Sequence, residues 1–191
     1  MKKLALFLGF ILVLMFFASC ATPPTEEMNS AHEAVARAEN NADAVRYSGN
    51  LLVRARDAIT RMEIEADAKR YEAAKNLAAE AIVLADRAID EGMIAAIRAR
   101  DEAAALIHGL AAPLAETTTA LDTAAQDSLD LDVNGLLAEL DSARTTYNGA
   151  RQDLETANYR DAIAGGQEVR SSLSDINSAI TEAAQAASRK Q

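Results

Sequence analysis

Aromatic residues and proline are scarce in this chain. It has no Trp, and its four Phe all lie between residues 7 and 17, which leaves four Tyr for the rest. Pro occurs only at Pro23, Pro24 and Pro113, whereas Ala provides 41 of the last 172 residues. Strands favour aromatic and β-branched residues, while Ala is the strongest helix former and Pro the strongest helix breaker. This balance argues against a β-sheet and predicts an all-α fold.

Cysteine and basic residues are also few. Cys20 is the only cysteine, so an internal disulfide is excluded. Asp and Glu number 29 against 19 Lys and Arg. Nucleic acid binding requires a basic surface, so no nucleic acid partner is expected. The same acidity disfavours electrostatic adsorption to anionic lipid.

The first twenty residues are organised like a secretory signal peptide. Lys2 and Lys3 form a short basic start, and an apolar stretch without charges runs from Leu4 to Ala18. This stretch is shorter than the ~20 apolar residues that a membrane-spanning helix needs. We therefore predict that residues 1–19 are a signal peptide and that the protein is exported.

The end of this segment, Phe17-Ala18-Ser19-Cys20, resembles a bacterial lipobox, with phenylalanine where leucine is usual. The resemblance implies a covalent diacylglycerol and an N-acyl chain such as palmitate on Cys20, followed by a tether over residues 20–25. Two or more acyl chains give stable anchoring. The expected location is the bacterial cell envelope, with the protein held in a membrane by its lipid and facing the periplasm or the cell surface. Ordinary secretion, with cleavage near Ala21, is the alternative.

After the tether, apolar or small residues recur at steps of three and four, which is the pattern of helices with one buried face. Breaks in the pattern predict about six helices. They cover 26–47, 51–67, 71–108 and 114–128, then a fifth helix and a sixth from Tyr159. The expected buried positions include Ala42 and Val45 in the first helix and Leu137 in the fifth. In the sixth they are nine regularly spaced residues, Tyr159, Ala162, Gly166, Val169, Leu173, Ile176, Ile180, Ala183 and Ala187.

The two halves of the chain are similar to each other. Residues 50–52 correspond to 135–137 at an offset of 85, and residues 71–74 correspond to 159–162 at an offset of 88. Each half therefore predicts a unit of three helices, over 26–108 and 114–191, with the boundary at Gly109 and Pro113. We expect an elongated bundle, and the three-four stripe is also compatible with a coiled-coil oligomer.

Residues 28–90 contain an Ala-rich first helix, then the run Ala55-Arg56-Asp57-Ala58 and the run Tyr71-Glu72-Ala73-Ala74. This region resembles an uncharacterised helical domain of bacterial envelope lipoproteins, a type often found next to OmpA-like domains. The spacing of tyrosine and alanine also resembles tetratricopeptide-like hairpins. No segment of this sequence resembles an OmpA-like domain, so attachment to peptidoglycan is not implied. The family lends no assigned chemistry.

Residues 130–141 resemble an EF-hand calcium loop, which places oxygen ligands at positions 1, 3, 5 and 12 and glycine at position 6. Those positions hold Asp130, Asp132, Asn134, Asp141 and Gly135. The last ligand is Asp instead of Glu, and positions 2 and 4 are apolar. The favoured interpretation is therefore a helix-entry turn, in which Asp and Asn cap free N–H groups.

Other polar residues give weaker signals. Tyr71 and Tyr159 are expected to pack at the start of a hairpin arm, with the hydroxyl group near water. His32 and His108 lie in different halves and have no cysteine partner, so they predict neither a zinc site nor a catalytic pair. Glu80 and Arg87 are expected to form a weak ion pair on a helix surface.

These patterns together favour a non-enzymatic, membrane-anchored envelope lipoprotein that acts as a helical spacer, adaptor or protein-interaction module. Its expected partners are the membrane, through the lipid, and another envelope protein. No cofactor is expected apart from the lipid. The alternative is a calcium- or peptide-binding helical module that uses the loop at 130–141 or a groove of a helical hairpin.

Overall fold

The computed structural model describes residues 22–189, and all regular secondary structure in this range is α-helical. The prediction of an all-α fold is confirmed. Seven helices follow one another along the described chain: α1 Thr25–Glu39, α2 Ala42–Tyr47, α3 Gly49–Asp67, α4 Tyr71–Gly109, α5 Ala111–Gln126, α6 Val133–Glu155 and α7 Tyr159–Arg189.

The helix expected over 26–47 is in fact two helices, α1 and α2. Asn41 ends the continuity because its side chain accepts a hydrogen bond from the N–H of Ala44 at 2.9 Å and so caps a new helix. The helical phase changes across this break. As a result Ala44 is fully buried, whereas Ala42 and Val45, which were predicted to be buried, are exposed.

The chain forms two compact units, and the division lies between Met93 and Ile94. This division is inside α4 and differs from the boundary expected at Gly109 and Pro113. Only Leu110 separates α4 from α5. Pro113 lies in the first turn of α5, where backbone N–H groups have no partner within the helix, so a proline is tolerated there.

In the first unit, α1, α2, α3 and α4 share a core that is made largely of alanine. Of the seventeen buried residues in this cluster, eleven are Ala: Ala31, Ala34, Ala38, Ala44, Ala55, Ala58, Ala74, Ala78, Ala81, Ala85 and Ala88. Met62 is the largest side chain that is fully buried there. Small side chains at a contact let helix axes come closer together, so the core gains dispersion contacts through proximity rather than through large apolar side chains.

Gly92 of α4 lies at a close approach of this kind. A Cβ atom at Gly92 would lie 2.7 Å from the backbone N of Ala44 and 2.8 Å from its Cα, in α2. Both atoms belong to the backbone, which cannot move aside as a flexible side chain can. Gly92 therefore fixes how closely α4 packs against α2.

We predict that Gly92→Ala destabilises the protein by about 1–3 kcal/mol, the usual cost of overpacking. The matched control is Gly149→Ala in α6, where an added Cβ meets nothing within 4 Å. This control should gain up to ~1 kcal/mol from the higher helix propensity of Ala. Chemical denaturation followed by circular dichroism measures both. A Gly92→Ala variant as stable as the original chain would contradict the close approach.

The second unit has a different core. Its buried cluster consists of larger aliphatic residues: Leu106, Leu110, Leu114, Leu121, Leu140, Val169, Leu173 and Ile176. All nine positions predicted along α7 are buried or half-buried, so that pattern is confirmed. Leu137 is 43% exposed, and Leu136 packs against the cluster in its place. The prediction for Leu137 was wrong because α6 begins at Val133 in a phase that turns Leu136 inward.

Three helices end in the same way, with one residue in the left-handed region. These residues are Lys69 (φ 58°), Ser128 (φ 51°) and Ala157 (φ 61°). In the turn after α3, the N–H of Lys69 donates to Ala66 O and the N–H of Arg70 donates to Glu65 O, which is the Schellman arrangement. Lys69 and Ala157 each stand two residues before a tyrosine that begins the next helix. The two turns therefore match at the offset of 88 that the sequence indicates.

We predict that Ala157→Gly stabilises the protein by about 1 kcal/mol, because a left-handed backbone is costly for any residue with a Cβ atom. The control is Ala138→Gly, at an exposed position inside α6, which should lose a similar amount. Thermal unfolding of the three proteins gives the comparison. A decrease in stability for Ala157→Gly would contradict the role assigned to this turn.

Candidate functional site

Cys20, the predicted lipidation site, lies outside the described residues. The described chain starts at Thr22, and α1 begins at Thr25. Among the described helices, none combines the length and apolar character needed to cross a membrane.

The loop expected to resemble an EF-hand contains the N-cap of α6. The N–H of Gly135 donates to Oδ1 of Asp132 at 3.1 Å, as the helix-entry interpretation expects. A Cβ atom at position 135 would lie 2.5 Å from Oδ2 of Asp132. Glycine at this position therefore leaves the space that the carboxylate of Asp132 occupies in the cap. Asn134 and Asp141 both lie within α6. Within residues 22–189, no group of three or more His, Cys, Asp or Glu side chains is arranged to hold a metal ion.

We predict that Asp132→Ala destabilises the protein by about 0.5–2 kcal/mol through loss of the cap, and that Asp132→Asn retains most of the stability. Asp141→Ala is the control, because Asp141 is exposed on α6 and occupies the twelfth position of the supposed calcium loop. Urea denaturation with and without calcium measures all three variants. Equal, calcium-dependent losses for Asp132→Ala and Asp141→Ala would contradict capping and favour the calcium hypothesis.

The tyrosines and histidines take separate positions. Tyr71 and Tyr159 are the first residues of α4 and α7, and both are half-buried. His32 of α1 lies beside Glu63 of α3, with 3.4 Å between Nε2 and Oε1, and both side chains are about half exposed. His108 is exposed near the end of α4.

Ion pairs connect the helices of the first unit. Arg56 of α3 pairs with Glu39 of α1. Two further pairs join α1 to α4: Arg37 with Asp86 at 3.5 Å, and Lys75 with Glu27 at 3.3 Å. Exposed pairs of this kind contribute ~0–1 kcal/mol each. They therefore select the arrangement of the helices more than they stabilise it.

Two further ion pairs join residues that are close together in the sequence. Across the turn between α3 and α4, the hydrogen bond from Arg70 lowers the pKa of Glu65 and in turn raises the pKa of Arg70. On α4, Arg87 pairs with Glu91 at 2.7 Å. The expected partner of Arg87 was Glu80, so that prediction was wrong. Glu91 is one turn away, whereas Glu80 is almost two turns away on the same helix.

A groove of about 290 Å³ lies in the second unit, between the end of α4, the start of α5 and the middle of α7. Leu106, Leu110 and Leu173 form an apolar floor. Arg170 and Ser174 of α7 add polar groups at its edge, as does Asn177. The remaining lining residues are Ala105, Gly109 and Pro113. None of these lining residues is acidic, although the chain as a whole is.

Asn177 is held in one orientation. Its Nδ2 donates both to Oγ1 of Thr117 and to the carbonyl oxygen of Leu173, each at 2.8 Å. Thr117 is almost fully buried, so this contact anchors α5 to α7. An amide has two donor hydrogens and one acceptor oxygen. Oδ1 of Asn177 is therefore the group that remains to accept a hydrogen bond.

Close packing brings α7 against the end of α4 next to the groove. A Cβ atom at Gly166 of α7 would lie 2.7 Å from Cδ2 of Leu106 and 3.1 Å from Cδ1 of Ile107. Gly166 thus lets α7 approach the end of α4, where Leu106 also lines the groove. The position of this groove does not follow from the hydrophobic spacing of the sequence. The available signal was the line of polar residues Arg170, Ser174 and Asn177 at steps of four and three beside the apolar stripe of α7.

Comparisons of the chain with protein-family models, with curated proteins and with solved structures gave no match. The resemblance of residues 28–90 to a domain of envelope lipoproteins therefore stays a hypothesis.

Proposed function

We propose that this protein is a non-enzymatic lipoprotein of the bacterial envelope, which acts as a helical adaptor between a membrane and a protein partner. The observation that carries the proposal is the position of Cys20 relative to the first helix. Cys20 ends the signal-like segment, and α1 begins five residues later, at Thr25. A lipid on Cys20 would hold the helical body beside the membrane.

The length of the tether sets the distance. A fully extended chain spans at most ~3.6 Å per residue. Five residues therefore limit the start of α1 to about 18 Å from the lipidated sulfur. On such a tether the start of the helical body stays next to the membrane surface.

Charge supports the same role. Without residues 1–19, the chain has 29 acidic and 17 basic residues. Glu26 and Glu27 stand in the first turn of α1, at the end nearest the tether. Anionic lipid headgroups repel such a surface, so the acyl chains provide the membrane attachment and the helices stay free to meet a partner.

The adaptor role is supported by the form of the described residues. Both units have well-packed cores and exposed helical faces, and the second unit has a groove that combines an apolar floor with polar edges. Such grooves are common recognition surfaces for protein segments. The likeness of residues 28–90 to a domain of envelope lipoproteins favours the same class.

We predict that protein isolated from a bacterial host begins at Cys20 and carries a diacylglycerol and an N-acyl chain, which intact-mass spectrometry detects directly. Cys20→Ser removes the sulfur that would carry the glyceride, so this variant should lose the lipid and leave the membrane fraction. Cys20→Ser differs by one atom and leaves the helical residues unchanged. An unmodified polypeptide in the membrane-free fraction of the original protein would refute the anchor.

The adaptor role needs its own measurement. A photo-reactive amino acid placed at exposed sites of the helical body, in the membrane of living cells, should capture one partner reproducibly. The control is the Cys20→Ser variant with the photo-reactive amino acid at the same sites, which should leave the membrane and lose this partner. Capture of only abundant, variable neighbours from every site would refute a specific adaptor.

A further inference from the structure

We propose that the groove of the second unit binds the C-terminal residue of a partner protein. In this arrangement the terminal carboxylate pairs with Arg170, and an aliphatic side chain occupies the floor formed by Leu106, Leu110 and Leu173. The proposal rests on the proposed adaptor function, because it names the chemistry by which that adaptor would recognise its partner.

Charge is the first argument. From residue 94 onward the chain has 15 acidic and 8 basic residues, and the body as a whole repels anions. Arg170 makes no ion pair within the described chain, and no carboxylate lines the groove. A guanidinium group matches a carboxylate with two parallel hydrogen bonds. The groove is therefore a local site for a single anionic group on an otherwise acidic surface.

The size of the groove is the second argument. Sites for drug-sized ligands usually measure ~300–1,000 Å³, so a groove of about 290 Å³ is at the lower limit. It has room for one aliphatic side chain and the group attached to it. The leucines of the floor are each at most 9% exposed and offer a small apolar surface, which favours an apolar side chain because a polar one would lose hydrogen bonds to water there.

Asn177 supplies the third argument. Asn177 lines the groove, and because its Nδ2 is engaged within the protein, its amide offers a ligand only the acceptor Oδ1, which would pair with an N–H group. Arg170 and Asn177 are seven residues apart on α7, which is about 10 Å along the helix. An extended peptide covers this distance in about three residues. A peptide C-terminus offers a carboxylate, an aliphatic side chain and backbone N–H groups at this spacing, whereas a fatty acid has no N–H.

The test measures peptide binding by fluorescence anisotropy, using the full-length protein as isolated from cells, whether or not it carries lipid. The probe is a fluorescein-labelled pentapeptide that ends in leucine with a free carboxylate. Its twin with a C-terminal amide tests the anion, and decanoate tests a fatty acid as the competing ligand. We expect saturable binding of the acid peptide and at least tenfold weaker binding of the amide, because bonds between charged groups are the strong ones.

Three variants locate the site. Arg170→Ala should weaken binding of the acid peptide at least tenfold. Ser174→Glu places a carboxylate one turn from Arg170, where it competes for the guanidinium and repels the carboxylate of the peptide, so it should weaken binding at least tenfold while helicity is retained. Arg151→Ala is the matched control, because Arg151 is an exposed arginine of α6 that makes no ion pair in the described residues and does not line the groove. It should bind as the original protein does.

Several results would overturn the proposal. They are the absence of saturable binding, equal affinity for the acid and amide peptides, or no effect of Arg170→Ala. Binding of decanoate that depends on Arg170, without binding of either peptide, would instead identify a fatty-acid site. These failures are distinct from failure of the adaptor itself. If Arg170→Ala leaves photo-capture of the cellular partner unchanged, the groove proposal fails and the adaptor proposal stands. If Cys20 carries no lipid, the adaptor proposal fails, and peptide binding by the groove is judged separately.

Discussion

Close approach between helices is the constraint on which both units depend. In the first unit, alanines fill most of the shared core, and Gly92 brings α4 against the backbone of α2. In the second unit, Gly166 brings α7 against Leu106 and Ile107 at the end of α4. Small residues at these contacts bury less apolar side-chain area but allow a shorter distance between the helix axes. One of these contacts involves the groove, because Leu106 both packs against Gly166 and lines the groove.

Much of the fold could be predicted from the sequence, because helix formation depends on local pattern. The stripe of α7 was correct at all nine positions since nothing interrupts that helix. The errors follow from short-range hydrogen bonds that hydrophobic spacing does not record. The cap made by Asn41 divided the first helix and moved Val45 into solvent. The start of α6 at Val133 turned Leu136 inward in place of Leu137.

The candidate site was less accessible to sequence reasoning. Asp132 was visible as a helix cap because Asp and Gly stand at suitable spacing before an apolar run. The groove brings together residues from three helices that are up to 72 positions apart, from Ala105 to Asn177. Its polar edge and its leucine floor are each ordinary features of an amphipathic helix when they are viewed alone. Only the packing of α4, α5 and α7 makes them one surface.

The alanine core of the first unit has a thermodynamic consequence. The heat capacity change of unfolding and the sensitivity to denaturant both increase with the apolar surface that unfolding exposes. A core of methyl side chains exposes little such surface for each residue that it orders. The free energy of this unit should therefore vary gently with temperature, with a broad maximum and a shallow denaturant slope. Such a profile suits a body whose helices are held together by proximity rather than by the volume of their side chains.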